Sequence, residues 1–239
     1  MKENALEMCL IYKRVDLRKK YLDNMSQKVY TFCDIGEVGI MTQSIDSKVV
    51  SRIYGMNRGW VFTTTHFLDL GNRTAVAKTL ERLAGSGTIR RLARGLYDYP
   101  EKHPVLGELP ANYERIAQAL AGRDSLKIQP SGAYAANLLG LTDQVPARIV
   151  FLTDGGNKTV QVKNQQIVLK RTTPKNMATA GDVSGLVIQA LRYLGKDHVD
   201  DKTIGILKKR LTGIDKRRLM RDLRYAPAWI GSIFRQLQE

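Results

Sequence analysis

The stretch Gly59–Pro100, GWVFTTTHFLDLGNRTAVAKTLERLAGSGTIRRLARGLYDYP, decides the fold. Trp60, Val61 and Phe62 read as a short apolar strand. Thr63 is placed to cap a short helix containing His66, Phe67 and Leu68. Gly71 is expected to end that helix in a left-handed conformation, and Asn72 to cap a second helix over about Arg73 to Gly85. Two helices joined by a tight glycine-containing turn make a helix-turn-helix. After Gly87, TIRRL, an Ala93-Arg94-Gly95 turn and LYDY read as a β-hairpin, the wing.

The second helix has two faces. Val76, Leu80 and Leu83 recur at i, i+4 and i+7 and form its apolar side. The opposite side carries Thr74, Ala75, Lys78 and Arg82. Small residues at the start of such a face let a helix N-terminus approach base edges in the major groove, and Lys or Arg reach guanine or phosphate. Asn72, Arg73, Thr74, Ala75, Lys78 and Arg82, with Arg90, Arg91 and Arg94 of the hairpin, are the candidate DNA-binding residues. From Arg73 to Arg94 there are six basic residues against one acid, Glu81.

Composition agrees with this. The 239 residues carry a net charge of +15, which favours polyanionic partners through phosphate contacts and counterion release. Hydrophobic content of 43% supports ordinary cores. Two cysteines make no disulfide framework and fit a reducing cytoplasm. No apolar run approaches the ~18 residues of a membrane span.

Working outward, residues 1–40 mix charges and aromatics without a sustained period. They read as a disordered extension or a misassigned start, with Met41 as the biological one. Residues 41–100 are expected to form the winged helix-turn-helix domain, opened by a helix from Ile45 to Tyr54 capped by Ser44, with Lys48 and Arg52 as solvated charges on its outer side. Residues 101–109, EKHPVLGEL, read as a linker.

Residues 110–239 form the second domain in this reading. Pro110 opens a helix through Leu120, residues 125–129 make a strand, and Ser131 caps the small-residue helix GAYAANLLG. A β-hairpin at about 147–171 turns at Asp154-Gly155-Gly156-Asn157. Helices follow at about 183–237. The fold class expected is therefore α+β: a winged helix-turn-helix, then a mixed α/β domain ending in a helical bundle. Lys158, Lys163, Lys170, Arg171 and Lys175 are expected to form a secondary basic surface, with the basic positions of residues 158–171 along one exposed strand face. It is either a further nucleic-acid surface, a dock for an acidic partner, or a guard of sheet edges. Nine basic residues against Asp215 and Asp222 continue the positive charge from Lys202 to Arg224.

Catalysis is not expected. His66, His103 and His198 have no metal-ligand spacing, and neither Cys9 nor Cys33 sits in a CxxC. There is no phosphate-binding GxxxxGK[ST] loop. Ser131 lacks a nucleophile context, and Asp124 with Lys127 lacks the second carboxylate of a metal nuclease. The reading is a protein without catalytic residues, cofactor or metal.

Three segments carry a family resemblance: FLDLGNR, TLERLAGSGTIRRL and ARGLYDYP. With LPANYERIAQALA, PSGAYAANLLGL and VFLTDG further on, the chain from Ser44 onward resembles AbiEi-type antitoxins of bacterial abortive-infection toxin–antitoxin pairs, a form of phage defence. The resemblance implies a winged helix that represses its own promoter and a C-terminal domain that opposes a nucleotidyltransferase-like toxin without a stable complex. Only the helix-turn-helix and wing positions carry over by residue. The alternative is a transcriptional regulator with no antitoxin role, its second domain sensing a ligand or protein partner. In both, double-stranded DNA is the expected partner.

Overall fold

The computed structural model describes residues 44–122 and 127–238, which belong to one compact unit spanning Gln43–Glu239. The expectations for residues 1–40 and for Asp124 lie outside the described residues. The fold is mixed α+β. Among the described residues no helix is long and apolar enough to cross a membrane.

Helix α1 (Ile45–Gly55) starts where Ser44 Oγ accepts a hydrogen bond from the Ser47 amide, 3.2 Å. Strand β1 (Val61–Thr63) follows, then a single 3-10 turn, Thr64–Phe67. Helix α2 (Arg73–Gly85) is capped by Asn72, whose side-chain oxygen accepts from the Ala75 amide at 2.8 Å. Strands β2 (Arg90–Ala93) and β3 (Leu96–Asp98) form a hairpin, with Gly95 at φ 72° in its turn. The sheet order is β1-β3-β2, all antiparallel.

Between the helices and this sheet lies an aromatic core. Phe62, Phe67 and Tyr97 meet Val49, Ile53, Val76, Leu80 and Ile89, all buried. The Phe62 and Phe67 rings are edge-on at 5.4 Å, a geometry the ring quadrupoles favour. Gly71 has an ordinary negative-side φ, contrary to the left-handed cap expected of it. Its missing side chain serves a close approach instead, since a Cβ there would lie 2.6 Å from Ile45 Cδ1.

The expected linker is a structured hairpin. β4 (Lys102–His103) pairs with β5 (Gly107–Glu108). Nor does it separate two cores. Val61 of β1 and Leu96 of β3 pack in one cluster with Ile116, Ile149, Phe151, Ile167 and Leu169 from the chain beyond it.

Helix α3 (Tyr113–Ala121) begins later than Pro110 predicts. Asn112 is its cap, accepting from the Glu114 and Arg115 amides. Strand β6 (Ile128–Ser131) leads into α4 (Gly132–Leu138). Strands β7 (Arg148–Thr153), β8 (Lys158–Val162) and β9 (Gln165–Arg171) complete a four-stranded sheet of order β6-β7-β9-β8.

This order corrects the hairpin expected over 147–171. β7 and β8 are not neighbours, because β9 lies between them, parallel to β7 and antiparallel to β8. The true hairpin is β8–β9, turning at Lys163-Asn164, with Lys163 at φ 51°. The reason is burial. Central strand β9 puts Ile167 and Leu169 beside Ile149 and Phe151 on the face that α3 covers, whereas β8 begins with exposed Lys158 and Thr159 and suits an edge.

The other face of the sheet meets α6. After the short α5 (Pro174–Met177), α6 (Val183–Leu194) lies against β6. Ser131 Oγ donates to Gln189 Oε1 at 3.2 Å, and the Gly181 amide donates to Gln129 Oε1 at 3.2 Å. A Cβ on Gly185 would lie 2.3 Å from the Thr179 carbonyl, so only glycine fits. Helices α7 (Asp201–Arg210), α8 (Gly213–Arg221) and α9 (Ala228–Gln238) close the C-terminal bundle. Its core includes Val187, Leu191, Leu207, Leu219, Phe234 and Leu237.

Candidate functional site

Helix α2 presents Arg73, Thr74, Lys78, Glu81 and Arg82 to solvent, while Val76, Thr79 and Leu80 are buried. Ala75 is half-buried, further round toward the core than the sequence implies. Asn72 is engaged in capping, which holds the first turn and its exposed donors in place.

Arg82 is exposed but not free. It pairs with Asp46 of α1. The same carboxylate accepts from the buried Thr79 hydroxyl, which also donates to the Ala75 carbonyl at 3.0 Å. The Thr79 hydrogen bond, then Arg82, hold the Asp46 carboxyl below its ordinary pKa. Asp46 thus latches α1 to α2. Arg52 does the same for the intervening turn: its guanidinium grips Asp69 at 2.6 and 2.8 Å and reaches the His66 carbonyl at 2.7 Å. The expectation that Arg52 is a solvated charge is corrected accordingly.

The three hairpin arginines divide into one inward and two outward. Arg90 is directed inward. It forks onto Asp98, at 3.1 and 2.6 Å, and donates to the Leu109 carbonyl at 3.0 Å. The Asp98 side chain is only 1% exposed. Burial pushes its pKa up, opposed by the Arg90 guanidinium. Arg90 is therefore a strut between β2, β3 and the 101–109 hairpin, and the sequence-level placement of Arg90 on DNA is corrected. Arg91 and Arg94 are exposed, and neither has an ion-pair partner among the described residues. Arg91 lies opposite Tyr97 in the register.

The five residues of the expected secondary basic surface do not share a face. Lys158 is paired with Leu169, so it lies on the α3 side, and its ammonium donates to the Leu120 carbonyl at the end of α3. Arg171 has the parity of Leu169, while Lys170 points to the other side. Lys163 is in the β8–β9 turn and Lys175 in α5. Strand alternation, which a run of basic residues conceals, disperses them.

What remains exposed is Arg73, Thr74 and Lys78 on α2, with Glu81 beside them, and Arg91 and Arg94 on the hairpin. Sequence reasoning missed Asp46. Its only signal was an acid in the first turn of a helix, a common feature with another explanation. A cleft of about 590 Å³ opens beside the hairpin, lined by Arg90, Leu92, Pro110, Tyr113, Val162 and Lys163.

Comparison with known proteins gives three findings. No curated protein matches the sequence. Among solved structures, the RV2827C protein from Mycobacterium tuberculosis is similar at 16% identity, over 82% of this chain and 76% of that one, with a TM-score of 0.41. The model of a family of unknown function, DUF6088, matches residues 48–219, well over half of the chain. The chain belongs to the DUF6088 family.

Proposed function

We propose that residues 44–100 are a winged helix-turn-helix that binds duplex DNA, with α2 entering the major groove and the β2–β3 hairpin acting as the wing. The observation that carries this reading is the exposure of Arg73, Thr74 and Lys78 on a capped helix, together with that of Arg91 and Arg94, which have no ion-pair partner among the described residues, on the hairpin that follows it. A helix whose first exposed turn carries the small Thr74 beside Arg73, with a cation one turn later at Lys78, fits the groove, and outward arginines on a hairpin fit the flanking backbone. On the resemblance to AbiEi-type antitoxins, the DNA is the protein's own promoter. The wider role is then an antitoxin that opposes a nucleotidyltransferase-like toxin, in the cytoplasm and without chemistry of its own.

The DNA half is tested by titrating promoter and scrambled duplexes against the wild type and Lys78→Ala. A base-reading Lys78 costs about 1–3 kcal/mol on the promoter alone, and a phosphate contact lowers the salt slope by about one unit on both duplexes. Equal affinity and slope in the variant overturn the assignment of α2. The antitoxin half is tested by co-expression with a toxin from the neighbouring gene, where restored growth supports it.

A second reading, a regulator whose second domain senses a ligand, is favoured by the cleft beside the hairpin. Its volume falls within the ~300–1,000 Å³ of small-molecule sites, and Leu92 joins it to β2. Under this reading Leu92→Trp, which fills the cleft, alters DNA affinity without a growth-rescue phenotype.

A further inference from the structure

A positive feature that the α2 surface leaves unused lies on α8. Ile214, Arg217, Arg218 and Arg221 are spaced i, i+3, i+4 and i+7, so they form one stripe, and all four are exposed. Leu219 anchors the opposite side of the helix in the bundle core. Neither nearby carboxylate neutralises the stripe's centre. Asp215 turns back to its own cap, accepting from the Thr212 amide at 3.0 Å and hydroxyl at 2.7 Å. Asp222 is buried and tied to Arg221 at 3.2 Å. Arg217 and Arg218 have no ion-pair partner among the described residues.

The helix dipole accounts for cations in the last turn, Arg218 and Arg221, but not for Arg217. Nor does it account for the choice of arginine three times, whose planar fork matches phosphate oxygens in a way lysine does not. From Arg217 to Arg221 the charged part of the stripe is about 6 Å long at 1.5 Å per residue, and the arginine side chains extend beyond it. That spans about two to three phosphates on one strand of a duplex, which repeat at about 3.4 Å. The stripe bears one aliphatic residue and no aromatic, whereas the centres of protein interfaces are enriched in aromatics.

We propose that the α8 stripe of Arg217, Arg218 and Arg221 is a second DNA surface that grips the phosphate backbone of duplex DNA without reading its sequence. The assignment stands on α8 alone and does not need the α2 surface to bind.

The experiment uses the full chain and a duplex of promoter sequence, with affinity measured across salt concentrations. The variants are Arg217→Ala/Arg218→Ala, Arg217→Lys/Arg218→Lys, and Lys78→Ala/Arg94→Ala. Arg221 is left intact because it partners Asp222. The expected result is that the α8 alanine pair lowers the slope of log affinity against log salt by about two units, equally on promoter and scrambled duplexes. The lysine pair keeps the slope, and thermal melting is unchanged in both. A loss confined to the α8 pair upholds this surface and removes the α2 assignment. A loss confined to Lys78→Ala/Arg94→Ala overturns this surface and leaves α2 standing. Wild-type behaviour in every variant overturns both. Loss of retention on immobilised poly-L-glutamate with an unchanged DNA slope also overturns it, and assigns the stripe to an acidic polypeptide.

Discussion

Asp46 is the residue on which the proposed DNA face turns. It neutralises Arg82 and satisfies Thr79, so a carboxylate stands at the edge of a surface that also carries Glu81 but is predominantly positive. Asp46→Asn removes that charge. Under the DNA reading it tightens binding and steepens the salt slope by about one unit, because Arg82 becomes free to neutralise a phosphate. The pH dependence has a definite sign. The folded pKa of Asp46 lies below its ordinary value of 3.8, so its stabilising contribution is present above that value. It is lost as pH falls from there through the lowered folded value. The gap in melting temperature between wild type and Asp46→Asn should therefore begin to close as pH falls below 3.8 and vanish once pH is below the lowered folded value; a gap of constant size down to full protonation contradicts the ion pair. Gly185 is a second decisive residue. Adding a methyl group drives it into the Thr179 carbonyl, so Gly185→Ala should lower stability by about 1–3 kcal/mol in chemical denaturation.

At the scale of elements, the β2–β3 hairpin separates two kinds of arginine. Arg90→Ala leaves Asp98 buried without its cation and should cost about 3–5 kcal/mol of unfolding free energy. Arg91→Ala and Arg94→Ala should stay within about 0.5 kcal/mol. The Arg90→Ala deficit should shrink as pH is lowered. Burial has raised the folded pKa of Asp98, so protonation favours the folded state, and a neutral carboxyl needs no guanidinium. A deficit independent of pH would refute that explanation. The sequence made α2 legible because its signals are local: Asn72 before it, and apolar residues at helical spacing within it. It concealed the order of β7, β8 and β9, because the turn residues Asp154-Gly155-Gly156-Asn157 look the same whether the next strand pairs or passes by. It also concealed the role of Arg82, since its acid, Asp46, comes from another helix whose packing no local pattern encodes; the Arg90–Asp98 pair, by contrast, is cross-strand within the expected hairpin and needed only its register.

Over the whole molecule, the proline-flanked stretch 101–109 reads as a linker, yet the cores on either side of it merge. Val61 and Leu96 share a cluster with Ile116, Phe151 and Leu169. The described part of the chain should therefore unfold in one cooperative transition, monitored by tryptophan fluorescence and by circular dichroism. Leu96→Ala should lower that single transition by about 2–5 kcal/mol rather than detach one half. Two separated transitions, with only the first shifted, would contradict the shared core. The merged core also gives the proposed wing a rigid mount, because β3 is both its outgoing strand and part of the central cluster.

DNA binding through α2 and the hairpin is tested most directly by one titration: promoter duplex against the wild type and Lys78→Ala/Arg94→Ala, repeated on a scrambled duplex over a range of salt. The prediction is a preference for the promoter that the double variant loses, with a salt slope lower by about one unit for each lost phosphate contact. Equal affinity of wild type and variant for both duplexes, with the same slope, would contradict it.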